Sequence, residues 1–380
     1  MKVQPTSPRV RPWAIVLAGG DGTRLRPLVD RLYGDGRPKQ FASLTGTRSL
    51  LRTTLDRVGR IAPVERTVVV TVARHRALVS GEIGDRGYRI LEQPVNRGTA
   101  AAILWSAMWV AGREPDATLV ILPADHHVSN EPALADHILD LTILAQSDPD
   151  RIFLLGARPT RPDTGYGWIE LGAVMRRAGS RPVHAVRRFV EKPSEQVAEA
   201  MLRSGSLWST LILVGRVRAF LAAGRASLPR VHAMLEDAAR VADSPHAAAA
   251  LHRSYAEIGG ADFSRDLLEL IPERLGVSVL SDSEWSDLGT PERVLAVVRA
   301  TRLEPVLKAG LERIAERAAV DLDAGLGDRN DHPSCEQRVL LRVCNRKISA
   351  SPLGLDPEGR PFFLRATHDD LGTKHLGDLK

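Results

Sequence analysis

One run near the amino terminus, Trp13-Ala-Ile-Val-Leu-Ala-Gly-Gly-Asp-Gly-Thr-Arg-Leu-Arg-Pro27, constrains this 380-residue chain more than any other stretch. Ala14 to Ala18 is a short, unbroken apolar segment, the pattern of a strand covered on both faces, and it runs directly into Gly19, Gly20 and Gly22. Glycines at a strand's end free the backbone to take positive φ and to approach a ligand, so that main-chain N–H groups can converge on phosphate oxygens. Arg24, and Lys39 from the nearby Arg37-Pro-Lys-Gln-Phe41, supply positive charge. An ordinary strand-to-helix turn could also read Gly-Gly-x-Gly; the appended Thr23-Arg24-Leu25 and Pro38-Lys39-Gln40-Phe41 set this one apart. The run contains no Walker loop, and its glycines miss the Gly-x-Gly-x-x-Gly spacing of dinucleotide folds.

The same alternation continues downstream. Helical spacing over 48–60 precedes a strand at 66–73; a third strand at 88–91 precedes a helix from about Thr99 to Gly112, and a fourth at 117–122 ends in Pro123-Ala-Asp-His-His127. A helix over 133–146 and a fifth strand over 151–156 follow. Strand and helix in turn predict an α/β fold, a doubly wound, mostly parallel sheet with its ligands at the carboxyl ends of the strands. Beyond it, 166–171 and 184–190 alternate as a small antiparallel section, Ser194 caps a helix, 207–217 reads as a final core strand, and 216–271 is mostly helical. An apolar strand at 277–280 leads to Trp285-Ser-Asp-Leu-Gly289, and a helix over 292–302 closes a domain of residues 1–300. Residues 301–380, with an amphipathic segment at Val306–Ala319 and both cysteines (Cys335, Cys344), read as an extension, helical or partly disordered.

Composition narrows the partners. No apolar run approaches the roughly 20 residues that cross a bilayer, and Met1–Arg11 lacks a signal peptide's apolar core, so a cytoplasmic protein without membrane association is expected. Two cysteines exclude a disulfide framework and a four-cysteine metal site. The net charge of +6 suits an anionic ligand, but basic residues are scattered and aromatics are only 4%, which argues against nucleic acid. Of 52 basic residues seven are lysine, leaving 45 arginine, and between Lys2 and Lys308 only Lys39 and Lys192 occur. In a chain that otherwise writes Arg, those two mark places suited to a compact ammonium on a flexible stem.

The run Gly-Gly-x-Gly-Thr-Arg-Leu with a downstream Pro-Lys resembles the signature of the sugar-nucleotide pyrophosphorylases, and its Pro-Lys-Gln-Phe form resembles their mannose-1-phosphate guanylyltransferase branch. Further segments carry the resemblance: Pro123-Ala-Asp-His126 and Trp285-Ser-Asp-Leu-Gly289 for the family's two metal motifs, Phe189-Val-Glu-Lys-Pro193, Thr164-Gly-Tyr-Gly-Trp-Ile169, and Pro94-Val-Asn-Arg-Gly-Thr-Ala100. The resemblance covers about 13–300. It implies transfer of a nucleotidyl group from GTP to mannose 1-phosphate, with pyrophosphate leaving, and it admits a homodimer, since dimers are common in that family. Both reactants are anions, so the chemistry needs Mg²⁺, carboxylates to hold it and cations well aimed.

Roles follow residue by residue from that resemblance. Leu17, Ala18, Gly19, Gly20, Gly22, Thr23 and Pro123 contact the nucleotide, and Arg97 and Thr99 belong to the base loop. Arg24 and Lys39 stabilise charge moving onto pyrophosphate. Asp125 and Asp287 hold the metal, and Lys192 grips the sugar phosphate. Tyr166, Gly167, Glu191 and Ser209 line the sugar pocket. The chain departs from the family at Asn96 and Gly98, and at Trp208-Ser-Thr-Leu-Ile-Leu213, where Ser209 stands for the usual Asn and Leu211 for a Gly. Spacing alone does not separate guanine from thymine or uracil, so glucose 1-phosphate with dTTP or UTP stays open, as does a silent sugar-nucleotide-binding regulator. His126 and His127, with no zinc-spaced cluster, are expected to flank the site and not to ligate.

Overall fold

The apolar run after Arg11 forms β1 (Trp13–Leu17), and the reason it carries no polar alternation is visible in its neighbours. Ile15 packs into one core and Ala14 and Val16 into another on the opposite face of the sheet. In this computed structural model, which describes residues 11–301, β1 lies between β2 (Thr67–Val72) and β4 (Thr118–Pro123), parallel to both, and β3 (Arg89–Gln93) extends the parallel set beyond β2. Helix α1 (Arg26–Tyr33) leaves the glycine turn. Helices α2 (Leu50–Val58) and α3 (Arg76–Ile83) cover one face, and α4 (Gly98–Ala111), apolar nearly all round, is buried against the other.

β5 (His127–Val128) and α5 (Glu131–Ser147) follow, then β6 (Ile152–Ala157), the hairpin β7 (Gly167–Ala178) and β8 (Arg181–Glu191), and α6 (Glu195–Arg203), capped by Ser194. β9 (Leu207–Arg216) runs antiparallel between β4 and β6. Helices α7 (Val217–Ser227), α8 (Pro229–Arg240), α9 (Ala247–Glu257) and the short α10 (Phe263–Asp266) pack beside α4. With β10 (Leu275–Val279), the nine-stranded sheet has the order β3-β2-β1-β4-β9-β6-β10-β8-β7, and only β8 and β9 oppose the common direction.

One expectation is refined here. The last core strand in the chain is not 207–217 but β10, parallel to β6, which overlaps the apolar strand expected at 277–280. Its buried Ser278 is satisfied by His137 Nε2 at 2.8 Å and by the carbonyl of Pro182 at 3.1 Å. β7 and β8 are the expected antiparallel section, and β10 joins them to the main sheet. A second, two-stranded sheet pairs β5 with β11 (Trp285–Ser286), and α11 (Pro291–Ala300) closes the described chain. No helix among the described residues is long and apolar enough to cross a membrane. The readings made for 302–380, including Val306–Ala319 and both cysteines, lie outside the described residues.

Candidate active site

β1 delivers the glycine turn to the centre of the sheet's carboxyl edge. Leu17 is in register with Pro123 of β4, and its carbonyl accepts the Ala124 N–H at 3.0 Å; the Ala18 N–H is held by Val70 at 2.8 Å. Of the three glycines only Gly22 takes the left-handed conformation (φ 57°), and a Cβ there would lie 3.1 Å from Lys39 Cγ. Gly20 instead borders open space. The Pro38-Lys-Gln-Phe41 segment is strapped over this turn: Gln40 Nε2 donates to the carbonyls of Ala18 (3.1 Å) and Gly20 (2.8 Å). Thr23 opens the next turn at the surface, and Arg24 is half exposed.

The small β5–β11 sheet brings two distant acids together. Pairing of Ser286 with His127 sets Asp287 beside the turn that carries Asp125. Lys39 joins them: its Nζ lies 3.2 Å from Asp125 Oδ2 and donates to the Asp287 main-chain carbonyl at 2.6 Å, with the residue only 8% exposed. From α2, Thr54 Oγ1 donates to the Ala124 carbonyl (3.1 Å) and buried Arg57 to that of His126 (3.3 Å), fixing the turn on both sides of Asp125. Burial pushes His126 down to about 4, so its ring is neutral, and Nδ1 accepts from Trp285 Nε1 at 3.3 Å.

Asp287 is bonded on almost every side. Its Oδ1 accepts from the Tyr166 hydroxyl (2.9 Å), the Gly289 N–H (2.9 Å) and Arg293 Nη1 (2.8 Å); its Oδ2 accepts from the same Arg293 nitrogen at 2.8 Å and faces Arg24 at 3.7 Å. Burial alone would raise this carboxyl, but Arg293 and Lys39 outweigh it and hold the group below the usual carboxylate range. No group of three or more His, Cys, Asp and Glu side chains gathers at ligand spacing among the described residues, so the acids here form a pair. As oxygen donors the pair fits a hard divalent cation: Asp125 Oδ1 has only His126 Nε2 nearby, at 3.7 Å, and Asp287 Oδ2 has lone-pair capacity that Oδ1 lacks.

The residues read from sequence as sugar-binding converge from β7, β8 and β9. Gly167 is opposite Glu191 in register, and a Cβ on it would lie 2.6 Å from Glu191 Oε2, so a larger residue would displace that carboxylate. Burial pushes the Glu191 carboxyl up, against the pull of Lys192, whose Nζ is 3.1 Å away. Lys192 takes φ 50°, pinned by its N–H to the Tyr166 carbonyl (3.1 Å). Tyr166, read from sequence as lining a hexose, is 6% exposed; its ring packs on Trp208 (4.8 Å) and Trp285 (5.3 Å) and its hydroxyl turns to Asp287. Ser209 is half-buried on β9, its hydroxyl accepting from Leu211 N–H at 3.4 Å. Leu211, at the position the family gives to glycine, still holds a glycine-like φ of 54°.

On the base side, Arg97 Nε donates to the Tyr255 carbonyl (2.9 Å) and Thr99 Oγ1 accepts from Phe263 N–H (2.7 Å). Both side chains therefore fasten this loop to the α9–α10 segment. Gly98 has φ 85°, and a Cβ on it would meet the Ala261 carbonyl at 2.2 Å, which accounts for the departure at that position.

The nucleotidyl transferase family profile matches residues 13–303, which takes in every element of this cleft. The chain belongs to the nucleotidyl transferase family. It is 31% identical over 297 residues to mannose-1-phosphate guanylyltransferase 2 of Escherichia coli O157:H7 and 30% identical over 281 residues to the mannose-1-phosphate guanylyltransferase of Klebsiella pneumoniae. Both matches cover 73% of this chain but 58% of the relative, so the chain spans somewhat over half the length of these curated relatives. The crystal structure of a mannose-1-phosphate geranyltransferase from Thermus thermophilus superposes with a TM-score of 0.64 at 30% identity, covering 78% of this chain and 81% of that one.

Within this nucleotidyl transferase, sequence reasoning missed Arg293 and Asp163 and gave Gln40 no role. Arg293 lies on α11, six residues past Asp287, where one arginine among 45 carries no signal of its own. Gln40 was legible, since it sits inside the quoted Pro-Lys-Gln-Phe, but its role depends on a fold that lays that segment over the glycine turn.

Proposed function

We propose that this protein transfers a guanylyl group from GTP to mannose 1-phosphate, releasing pyrophosphate. The observation that carries the reading is Lys39 Nζ, within bonding distance of both the Asp125 carboxylate and the Asp287 main chain at the mouth of the glycine turn. The GTP triphosphate lies along Gly19, Gly20, Gly22 and Thr23, with its nucleoside against Leu17, Ala18 and Pro123 and its base toward the loop of Arg97 and Thr99. Asp125 and Asp287 would hold Mg²⁺, which would supply charge neutralisation at the phosphates. Lys39 turns from its acids to the phosphates as the nucleotide enters, and Arg24 reaches the departing pyrophosphate from the open side. Lys192 grips the sugar phosphate. Glu191 and Ser209, with Gly167 leaving room, accept and donate to sugar hydroxyls, and Tyr166 fixes Asp287.

An in-line displacement of this kind needs orientation and electrostatic stabilisation more than a covalent nucleophile, and the cleft is built from groups of that sort. In this reading residues 1–300 form the catalytic domain, 301–380 are an extension to it, and the enzyme is cytoplasmic. The Ser209 hydroxyl, turned to the backbone where the family has an amide side chain, favours one second reading, a pyrophosphorylase for a different hexose 1-phosphate. A panel of GTP, dTTP and UTP against mannose 1-phosphate and glucose 1-phosphate, scored by Mg²⁺-dependent pyrophosphate release, decides between them. GTP with mannose 1-phosphate is expected to be fastest. Faster release with glucose 1-phosphate would favour the second reading, and GDP-mannose binding without release from any pair would show a silent regulator.

A further inference from the structure

Asp287 alone does not set where its carboxylate points. The side chain that does is Arg293, 7% exposed, which reaches Asp287 with Nη1 and Asp163 Oδ1 with Nη2 (2.7 Å), while its guanidinium lies 4.0 Å from the centre of the Tyr166 ring. Asp163 is itself built in: Oδ1 also accepts the Gly165 N–H at 2.9 Å, Oδ2 meets Arg161, and its carbonyl takes Trp168 Nε1 at 2.8 Å. The glycines around this network leave no spare room. A Cβ on Gly165 would sit 3.0 Å from Arg293 Nη2, and one on Gly289 2.4 Å from Asp287 Oδ2. Three separate parts of the chain, the 163–167 turn, the 287–289 turn and α11, thus meet on one buried cation.

We propose that Arg293 is a positioning residue for the divalent-cation site. With Asp163 behind it, its Nη1 grips both oxygens of Asp287 while the Tyr166 hydroxyl and the Gly289 N–H fill Oδ1, which leaves Oδ2 the less occupied oxygen, and it carries the orientation of the 163–167 turn to that carboxylate. The inference rests on the reading of Asp287 as a metal ligand. Its physical basis is that partners behind a ligand fix the ligand's direction, and their loss typically weakens metal affinity about 10- to 100-fold. Lysine at 293 could neutralise the two acids but has no planar fork to hold both in one geometry.

The test is binding of Mn²⁺·GTP without sugar phosphate, followed by water-proton relaxation, for the full-length wild type, Asp287→Asn, Arg293→Met, Arg293→Lys and Asp163→Asn, with melting curves on each. The expected result is that Asp287→Asn and Arg293→Met each weaken Mn²⁺ at least about tenfold, Arg293→Lys restores part of the loss, and Asp163→Asn loses several-fold. If Arg293→Met does not fold, Arg293→Lys and Asp163→Asn carry the test. Should Asp287→Asn weaken Mn²⁺ while the folded Arg293 and Asp163 variants bind as the wild type does, the positioning role is overturned alone. Should the wild type fail to bind Mn²⁺·GTP, or Asp287→Asn match it, the ligand reading falls instead.

Discussion

On the glycine-turn side of the cleft, from β1 to the start of α4, every residue with a left-handed backbone is a glycine, Gly22 and Gly98 among them. On the opposite side, proposed to take the sugar and the metal, Lys192, Leu211 and Leu288 hold that conformation with full side chains. Glycine takes such a φ at little cost, whereas each of the others is strained by about 1–2 kcal/mol and is kept in place by its surroundings. Leu288 is fully buried, Leu211 packs on the main core, and the Lys192 N–H is bonded to Tyr166. The glycine-turn side is thus held by residues that backbone geometry dictates, and the side of Lys192, Leu211 and Leu288 by packing and bonding around full side chains.

The largest effect should come from the seam between the two sides. Asp125→Ala is expected to lower turnover by about a thousandfold or more while the melting midpoint stays within a few degrees, read by pyrophosphate release and circular dichroism. Retained Mg²⁺-dependent turnover would remove Asp125 from the mechanism. The two lysines separate the sides next. Lys39→Met should reduce kcat about a hundredfold, and Lys192→Met should raise the KM for sugar phosphate about tenfold, leaving the KM for nucleotide unchanged. Equal effects on both substrates from both variants would erase the division.

Stability probes the same contrast with smaller effects. Gly98→Ala drives a Cβ into the Ala261 carbonyl at positive φ, and should destabilise by about 2–4 kcal/mol in urea melts. His137, buried under β10, is held down to about 4 by burial and then by Arg181. Between pH 6.5 and 4 the unfolded chain therefore binds the proton that the folded chain excludes, so stability falls as pH falls through that window. The group's share is about 2 kcal/mol between pH 7 and 5, and urea melts of His137→Gln should show a shallower decline. The smallest change is expected from Leu211→Gly. Relief of about 1 kcal/mol of strain offsets the loss of a partly buried side chain, so the net lies within about 1 kcal/mol of zero.

The contrast also explains what the sequence disclosed. β1, the glycine turn and Lys39 were legible because a buried parallel strand must be apolar and a tight turn must be glycine, both local demands. The apolar strand before Trp285 was legible too, at 277–280, but its place beside β6 was not, because strand pairing is non-local and the partners of its Ser278, His137 and Pro182, come from elsewhere in the chain. The motifs around Asp125 and Asp287 were visible, but their meeting depends on the two-residue strands β5 and β11, too short for any periodicity. Tyr166 stood out as part of Gly-Tyr-Gly, yet its bond to Asp287 follows from a wedge of Trp208 and Trp285 that only the fold assembles.

If Asp125 and Asp287 share one divalent cation beside the glycine turn, anomalous diffraction from a crystal of the protein with Mn²⁺ and GTP will show a single strong peak within about 2.0–2.3 Å of a carboxylate oxygen of each residue, with Lys39 drawn away toward phosphate. A cation bound to the nucleotide but touching neither acid, with Lys39 still joined to both, would contradict that sharing.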